Sequence, residues 1–273
     1  MKSFPALRIS LVSALALFPL FQLGQFTAKT NSPAPAMVDH EFEHIIVNTT
    51  EDTVDLLADD LCADQSGNCS LRAAVQCANL WPGEQTIELA GETYKLTRAG
   101  ANENAAATGD LDLSGALIIT GTGLSFTVID ASELDRVVEV LPEAVVQITN
   151  LTLTNGRAPA TTGTVRGRDG GGILNHASLS MENVRVAGNQ AGAASTSADY
   201  SGDGGGIFNN EGSLVLTLVE IMGNETANGP YGTYNGVDGG HGAGIYSRGG
   251  TISLTDSQVT GNSTGNGGDG GTG

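Results

Sequence analysis

The stretch Gly170–Asn175, with the sequence GGGILN, decides the fold of this chain because it returns twice. It recurs as GGGIFN at Gly204–Asn209 and as GAGIYS at Gly242–Ser247, with starts 34 and 38 residues apart. Self-similarity at such a period is the signature of repeat architectures, in which each unit contacts only its neighbours. The sequence therefore predicts a stacked, one-dimensional domain.

Each copy of this stretch is followed by alternating apolar and polar residues that end in a Gly-Asn pair. Alternation with a period of two is typical of strands that bury one face. Alignment on the Gly-Asn pairs brings the apolar positions into register, and residues 146–153 add a weaker upstream row. The aligned columns are Leu179/Leu214/Ile252, Met181/Leu216/Leu254, Val184/Val219/Ser257 and Val186/Ile221/Val259, with Val146, Ile148, Leu151 and Leu153 upstream.

The excess length of the repeats falls in one place, the Gly-rich segments 190–203, 225–241 and 263–273. Length variation at one position per repeat is typical of loops at one edge of a solenoid. We therefore predict an all-β fold, a right-handed parallel β-helix of the pectate-lyase-like kind. With roughly 20–25 residues per coil, about six coils fit, in a rod ~30 Å long.

The charge of the chain argues against a nucleic-acid partner. The formal net charge is −18, and residues 1–36 hold three basic and no acidic side chains, which leaves 30 acidic against nine basic ones in the remainder. Such a surface repels nucleic acid and anionic lipid. Acidity of this kind also keeps an edge-rich β protein in solution.

The N-terminus has the three parts of a secretory signal. Lys2 and Arg8 form a basic region, residues 9–23 are apolar, and Ala34-Pro35-Ala36 is a small-residue cleavage motif. We expect residues 1–36 to be a signal peptide and the protein to be secreted or on the cell surface. Residues 37–85 are expected to form a linker and N-terminal cap, and residues 86–273 the β-helix.

The cap is predicted to contain a short helix over residues 70–80. Ser70 is a good N-cap residue, and Leu71, Ala74, Val75 and Ala78 form one apolar face. A helix at this place covers the open end of the first coil, where strand edges would otherwise meet water.

Three cysteines lie in this region, at positions 62, 69 and 77. An exported chain favours one disulfide and one remaining thiol. Cys62 and Cys69 flank the turn-like segment ADQSGN, so we expect these two to pair, with Cys77 in the helix.

The segment Cys69–Arg72 followed by Ala73-Ala74-Val75 and Ala78-Asn79 resembles the CSLREA motif of secreted bacterial and archaeal β-helix proteins. Residues 109–113, 118–123 and 135–140 are similar to coils of that family, and the later repeats resemble those of polymorphic outer-membrane proteins. The resemblance covers about residues 45–273 and implies export and the fold, but no assigned activity. Ala73 stands where the family usually has Glu, so no role of that Glu carries over.

Three sets of residues are candidate sites. Asn189, Asn224 and Asn262 share one register position and are expected to form a structural hydrogen-bonded ladder. Four aspartates that precede Gly-Gly are secondary candidates for Ca²⁺, although Asp-Gly is also an ordinary turn dipeptide. Loop tyrosines are candidates for stacking on sugar or protein. The aspartates are Asp169, Asp203, Asp238 and Asp269, and the tyrosines are Tyr200, Tyr231 and Tyr234.

The sequence offers no recognisable catalytic set. Gly240-His241-Gly242 resembles a motif of polygalacturonases, but the paired aspartates that those enzymes need are missing from neighbouring coils, and no lysine follows Lys95. We therefore predict a non-enzymatic, adhesin-like scaffold without a cofactor, whose partner is a surface protein or a polysaccharide. A polysaccharide lyase or hydrolase predicts acids and a base clustered on one strand face in adjacent coils. A Ca²⁺-stabilised rod is the third alternative.

The chain stops at Gly268–Gly273, inside what should be the loop before another coil. A solenoid needs a terminal cap. We therefore expect the β-helix to be truncated at its C-terminal end, with any membrane anchor in the missing part.

Overall fold

The computed structural model describes residues 44–56, 62–160, 168–194, 200–231 and 236–269. One helix, α1 (Leu71–Leu80), accompanies the strands in these ranges. The strands are β1 (His44–Ile46), β2 (Glu84–Glu88), β3 (Thr93–Lys95), β4 (Leu111–Leu113), β5 (Ala116–Thr120), β6 (Val128–Asp130), β7 (Val138–Val140), β8 (Val145–Thr154), β9 (Ile173–Asn175), β10 (Ser178–Ala187), β11 (Ile207–Asn210), β12 (Ser213–Thr217), β13 (Glu220–Met222), β14 (Ile245–Arg248), β15 (Thr251–Thr255) and β16 (Gln258–Thr260).

The strands form a parallel β-helix, as the repeat predicts. One 11-stranded sheet follows the path β1-β2-β5-β8-β10-β12-β15, with β3, β6, β13 and β16 beside it. A 5-stranded sheet has the order β14-β11-β9-β7-β4. The strand pairings in the described ranges are parallel. Each coil therefore contributes one long strand or two short ones to the larger sheet, and in the described residues each strand pairs with strands of the coils before and after it.

The solenoid has about five turns rather than the six expected. The reason is the length of a coil. Ala116 pairs with Val145, 29 residues later, and Ser213 pairs with Thr251, 38 residues later. Each coil is therefore longer than the roughly 20–25 residues assumed, because loops add to its length, and fewer coils fit into the chain.

The apolar columns predicted from the alternation are confirmed. Leu179 pairs with Val146 on one side and with Leu214 on the other, and Leu214 pairs with Ile252. The same register holds for the Met181 and Val186 columns. These side chains are buried through β13 and exposed in the last described strands, β15 and β16. The core is therefore a narrow stack of aliphatic layers.

A corner divides each long strand into two segments. It is formed by one residue with a positive φ at the same register in successive coils: Asn150, Asn183, Leu218 and Asp256. Asparagine and aspartate adopt this conformation more readily than other residues with side chains. Leu218 is 51% exposed at its corner, which explains why it interrupts the apolar pattern.

Two positions of each repeat require glycine for different reasons, one for its backbone conformation and one for lack of space. The glycine of each Gly-Asn pair has a positive φ, +65° at Gly188 and +63° at Gly223, a region that glycine enters without steric cost. The third glycine of the GGGI stretch lies against the next coil. A Cβ at Gly206 would meet Gly244 O at 2.6 Å and Asn224 Nδ2 at 2.9 Å.

The helix covers the start of the solenoid, as predicted. Ser70 is its N-cap, and its hydroxyl accepts a hydrogen bond from Ala73 N at 3.0 Å. The apolar face of α1 joins the core and packs against β2 and β4. Strand β1 pairs with β2, residue Ile45 opposite Ile87, so the sheet begins before residue 86.

Among the residues described here, no helix has the length and apolar character needed to cross a membrane.

A buried acidic cluster as candidate functional site

The candidate site lies on the outer face of β4 and β7, two neighbouring strands of the five-stranded sheet. Asp112 pairs with Glu139 across these strands. The residues that flank Asp112, Leu111 and Leu113, are fully buried in the core. Because side chains alternate along a strand, Asp112 and Glu139 point away from the core on the same face.

A loop and the helix cover Asp112 completely. Its carboxylate Oδ2 accepts a hydrogen bond from Ala106 N at 2.8 Å, and its backbone carbonyl accepts one from Asn79 Nδ2 at 2.7 Å. Asn79 lies in α1, and its Oδ1 accepts from Ser114 N at 2.9 Å. The exposed fraction of Asp112 is therefore 0%, although the side chain does not face the core.

Three more acidic residues and a buried arginine surround this position. Carboxylate oxygens of Asp110, Asp112 and Glu139 all lie within 4.8 Å of one another. Arg136 Nη1 lies 3.6 Å from one oxygen each of Asp110, Asp135 and Glu139. We call Asp110, Asp112, Asp135 and Glu139 the acidic cluster.

Histidine closes the cluster on its outer side. His176 Nε2 lies 3.5 Å from Glu139 Oε1, and His176 Nδ1 is 2.9 Å from Asn210 Nδ2. The side chains of His176 and Glu139 are 25% and 17% exposed. The cluster therefore meets solvent at Glu139 and His176, whereas the aspartates lie behind them.

Several carboxylate oxygens have no hydrogen-bond partner. Asp110 Oδ2, Asp112 Oδ1 and Asp135 Oδ2 are buried and unsatisfied. Buried polar groups in folded proteins are almost always paired, because an unpaired one has lost its hydration without compensation. These atoms therefore favour a bound proton or a bound cation at the cluster.

Burial shifts the pKa values in the direction expected from this crowding. Burial, with the neighbouring Asp135 charge, raises the pKa of Asp110 to about 8. Burial likewise raises the pKa of Asp112 to about 7, and it raises the pKa of Asp135. At Glu139 burial opposes ionisation, but the hydrogen bond to His176 and the Arg136 charge outweigh it, so its pKa is lowered. Glu139 is thus the member of the cluster that ionises most readily.

The sequence did not predict this group of acids on one strand face in adjacent coils. The signal was present in the segments DLDL at 110–113 and DRVVEV at 135–140. Asp112 and Glu139 occupy alternating positions one coil apart. They were missed because these early coils lack the GGGI and Gly-Asn markers that align the later ones.

The predicted asparagine positions come together in a column. Asn189 Nδ2 donates to Asn224 Oδ1 at 2.9 Å, and Asn224 Nδ2 donates to Asn262 Oδ1 at 3.0 Å. Each Oδ1 also accepts from the backbone N–H of the asparagine below it. A parallel column links Asn175, Asn209 and Ser247. These side chains have a structural role inside the turns.

The aspartates predicted as Ca²⁺ candidates do not gather in one site. Asp169 Oδ1 accepts a hydrogen bond from Asp203 N, one coil later, at 2.8 Å. Asp203 Oδ1 in turn accepts one from His241 N, also at 2.8 Å. The third member of this register is therefore His241, and Asp238 lies three residues upstream of it. Asp238 and Asp269 are exposed. In the third repeat the sequence HGAGI stands where the second repeat has DGGGI. The prediction that grouped Asp238 with Asp169 and Asp203 therefore placed it three residues out of register.

Two of the three candidate tyrosines lie in the described residues, and both are exposed to solvent. Tyr200 is 53% exposed and Tyr231 is 62% exposed, in the loops of successive coils. Tyr234 lies outside the described residues.

The expected disulfide is wrong. Cys62 is bonded to Cys77, with 5.5 Å between the Cα atoms, and Cys69 is the free thiol. Cys77 lies on the buried face of α1, about two turns after the N-cap, where the chain around Cys62 packs against it. Spacing along the sequence favoured Cys69, but the position of the helix decides the pair.

Arg72, which belongs to the CSLR segment, has a structural role that the sequence did not indicate. Its guanidinium pairs with the Asp52 carboxylate, and it donates to the backbone carbonyls of Ala106, Gly109 and Asp110. Arginine has the five donors that such a set of acceptors requires. Arg72 thus ties α1 to the loop that leads into the acidic cluster.

The chain matches no protein-family model, no curated protein and no solved structure.

Proposed function

We propose that this protein is an exported β-helix scaffold that acts at the cell surface or outside the cell, where its stacked loops contact a surface protein or a polysaccharide. The observation that carries the proposal is the ordered surface that the loops build at one edge of the solenoid. The coils beneath them hold that surface at a fixed spacing.

The loops hydrogen-bond to one another as the strands do. Gly202 N donates to Gly192 O within one loop, and Ser201 Oγ donates to Asn228 O of the next, at 2.8 and 2.7 Å. Gly229 N donates in turn to Asn266 O at 2.8 Å. A preorganised surface loses less conformational entropy on binding than a mobile loop. We call the described parts of segments 190–203, 225–241 and 263–269 the loop edge.

Exposed aromatic side chains lie on this edge. Tyr200 and Tyr231 are more than half exposed, one in each of two successive loops. Tyrosine offers a rigid apolar ring and a hydroxyl, which makes it common at binding surfaces. The acidic composition of the chain and its resemblance to the CSLREA family favour an extracellular partner over nucleic acid.

The competing function is a polysaccharide lyase or hydrolase, and the acidic cluster is the observation in its favour. Its carboxyl groups with raised pKa values are suited to general acid catalysis. However, Asp110, Asp112 and Asp135 are each at most 5% exposed. A polymer substrate needs an open groove, so the burial of these residues favours an ion at the cluster over a sugar chain.

The proposal is tested by binding of the full chain to an array of bacterial and plant polysaccharides and to intact cells. We expect the double variant Tyr200→Ala/Tyr231→Ala to bind at least tenfold more weakly, with an unchanged circular dichroism spectrum. Phe126→Ala is the matched control, because Phe126 is 67% exposed and lies between β5 and β6, away from the loop edge.

Two results would overturn the proposal. One is a chain that binds neither the array nor the cells. The other is a double tyrosine variant that binds as tightly as the wild type while Phe126→Ala loses binding. Release of shortened sugar chains from the array would favour the enzyme instead.

A further inference from the structure

We propose that Asp110, Asp112 and Glu139 bind a Ca²⁺ ion between the first coils of the solenoid. This inference does not depend on the function of the loop edge. It rests on three properties of the acidic cluster: the ligand geometry, the unsatisfied oxygens and the excess of negative charge.

The geometry suits a hard cation of this size. The three residues offer only carboxylate oxygens, which are the donors that Ca²⁺ and Mg²⁺ prefer. Oxygens bound to one Ca²⁺ at 2.3–2.6 Å lie up to about 5 Å apart. The cluster oxygens lie within 4.8 Å of one another. Mg²⁺ needs shorter bonds of about 2.1 Å and near-ideal octahedral geometry, whereas Ca²⁺ accepts irregular sets of oxygens, so three carboxylates held by the backbone of two neighbouring coils favour Ca²⁺.

The unsatisfied oxygens point to a ligand independently of the acidic composition. Asp112 is fully buried, and its Oδ1 has no hydrogen-bond partner, although Oδ2 accepts from Ala106 N. Asp110 is 5% exposed, and its Oδ2 also lacks a hydrogen bond. Arg136 Nη1 is 3.6 Å from this atom, which is beyond hydrogen-bond distance. A cation would satisfy both carboxylates at once.

The net charge of the acidic cluster suits a divalent cation. When the four carboxyl groups are ionised, the cluster carries four negative charges. Arg136 contacts three of them, and the Arg168 charge acts on Asp135 and Glu139. Two of the four negative charges therefore have no arginine counterion. Buried charges are otherwise paired or bind metals, and one Ca²⁺ restores neutrality.

An ion has a path to this place. Glu139 and His176 are the partly exposed members of the group, so the cluster opens on their side. On the opposite side, the Asp112 backbone is held by Asn79 of α1 and the loop at Ala106 covers its carboxylate. The bound ion would therefore fasten the helical cap and the residue 99–109 loop to β4 and β7.

The test uses the full chain, stripped with EDTA and dialysed. Calorimetric titration with Ca²⁺ at pH 7.5 should show one site. The melting temperature should rise by roughly 5–10 °C at a free Ca²⁺ concentration a hundred times the Kd. The variant Asp112→Asn should lose more Ca²⁺ affinity than the roughly 10- to 100-fold that is typical when an outer-shell residue is changed. The same variant should melt higher than the wild type in EDTA, because it lacks one buried negative charge.

Asp238→Asn is the matched control, since it removes an exposed acid from the Asp-Gly turns. It should retain the wild-type affinity and Ca²⁺-dependent melting shift. Glu139→Gln serves as the second ligand variant if Asp112→Asn does not accumulate as folded protein.

The proposal is overturned if the wild type shows neither binding heat nor a melting shift with Ca²⁺, in which case protons alone neutralise the cluster. It is also overturned if the ligand variants bind Ca²⁺ as tightly as the wild type does. Loss of binding in Asp238→Asn alone would assign the ion to the turns instead.

Discussion

Arg72 Nε lies 2.5 Å from Asp52 Oδ1, and neither side chain is more than 2% exposed. Asp52 precedes α1 and Arg72 lies within it, so this pair fixes the helix to the chain that enters it. The same carboxylate accepts hydrogen bonds from the backbone N–H groups of Thr97 and Arg98. The cap and the first coil therefore share one buried charge network.

Arg72→Lys should destabilise the protein by roughly 3 kcal/mol or more, because one ammonium cannot serve two carboxylate oxygens and three carbonyls. The measurement is urea unfolding followed by circular dichroism. Arg98→Lys is the control, since Arg98 is exposed, and it should change the free energy of unfolding by less than about 0.5 kcal/mol. Equal changes in the free energy of unfolding for the two substitutions would mean that the buried pair stabilises the protein no more than an exposed arginine does.

Asn224→Ala should cost about 2–4 kcal/mol, because Asn224 is fully buried and bonds to the coil on either side. Its loss removes the hydrogen bonds that Asn224 Oδ1 accepts from Asn189 N and Nδ2 and the one that its Nδ2 donates to Val186 O, and unsatisfied buried groups carry the full desolvation cost. Urea unfolding measures the difference. Asn266→Ala, at an exposed loop position, should be close to neutral. A neutral Asn224→Ala would show that the column is dispensable.

Cys77→Ser should lower the free energy of unfolding by roughly 3 kcal/mol, the entropic contribution of a bond that closes a loop of this length. The two cysteines are 15 residues apart in the sequence. Cys69→Ser should have little effect. Peptide mapping of the unreduced protein should recover the fragment that joins Cys62 to Cys77, and a fragment joining Cys62 to Cys69 would contradict the structure.

Cys69 should react slowly with iodoacetamide in the folded protein. Burial, and then the charges of Asp55 and Asp64, raise the pKa of its thiol from 9.0 to about 11. The thiolate is the reactive form. At pH 8 its population in the folded state is therefore about 100-fold below that in the unfolded chain. The native rate should keep rising up to about pH 11, whereas the rate in urea should level off above pH 9. Identical pH profiles in both states would refute the shift.

The later coils could be predicted from the sequence and the earlier ones only in part. Leu179, Leu214 and Ile252 follow a strict period of two between repeated Gly markers, so simple alignment found their column. Asp112 and Glu139 also alternate with core residues, but their coils carry no repeated marker. Their proximity depends on the 27-residue offset between β4 and β7, which only the folded register supplies.

Spacing along the sequence is a poor guide to contacts where a helix or an insertion intervenes. Cys77 reaches Cys62 because α1 turns its side chain toward the core. His241 occupies the aspartate position of the turn column, and Asp238 lies three residues before it. Tyr200 and Tyr231 are exposed, as expected for tyrosines in long Gly-rich loops. The hydrogen bonds between these loops could not be predicted from the sequence.

The parallel stacking of the coils has a mechanical consequence. Strand-to-strand hydrogen bonds run along the axis of the solenoid, so a pull on its two ends loads those bonds lengthwise instead of shearing them. Coils should then peel away singly, and each would release 33–38 residues, as the offsets from β8 to β15 give. At about 3.4 Å per residue this is roughly 110–130 Å of slack. A chain of this kind yields to force in large, discrete steps, and it absorbs work at each one.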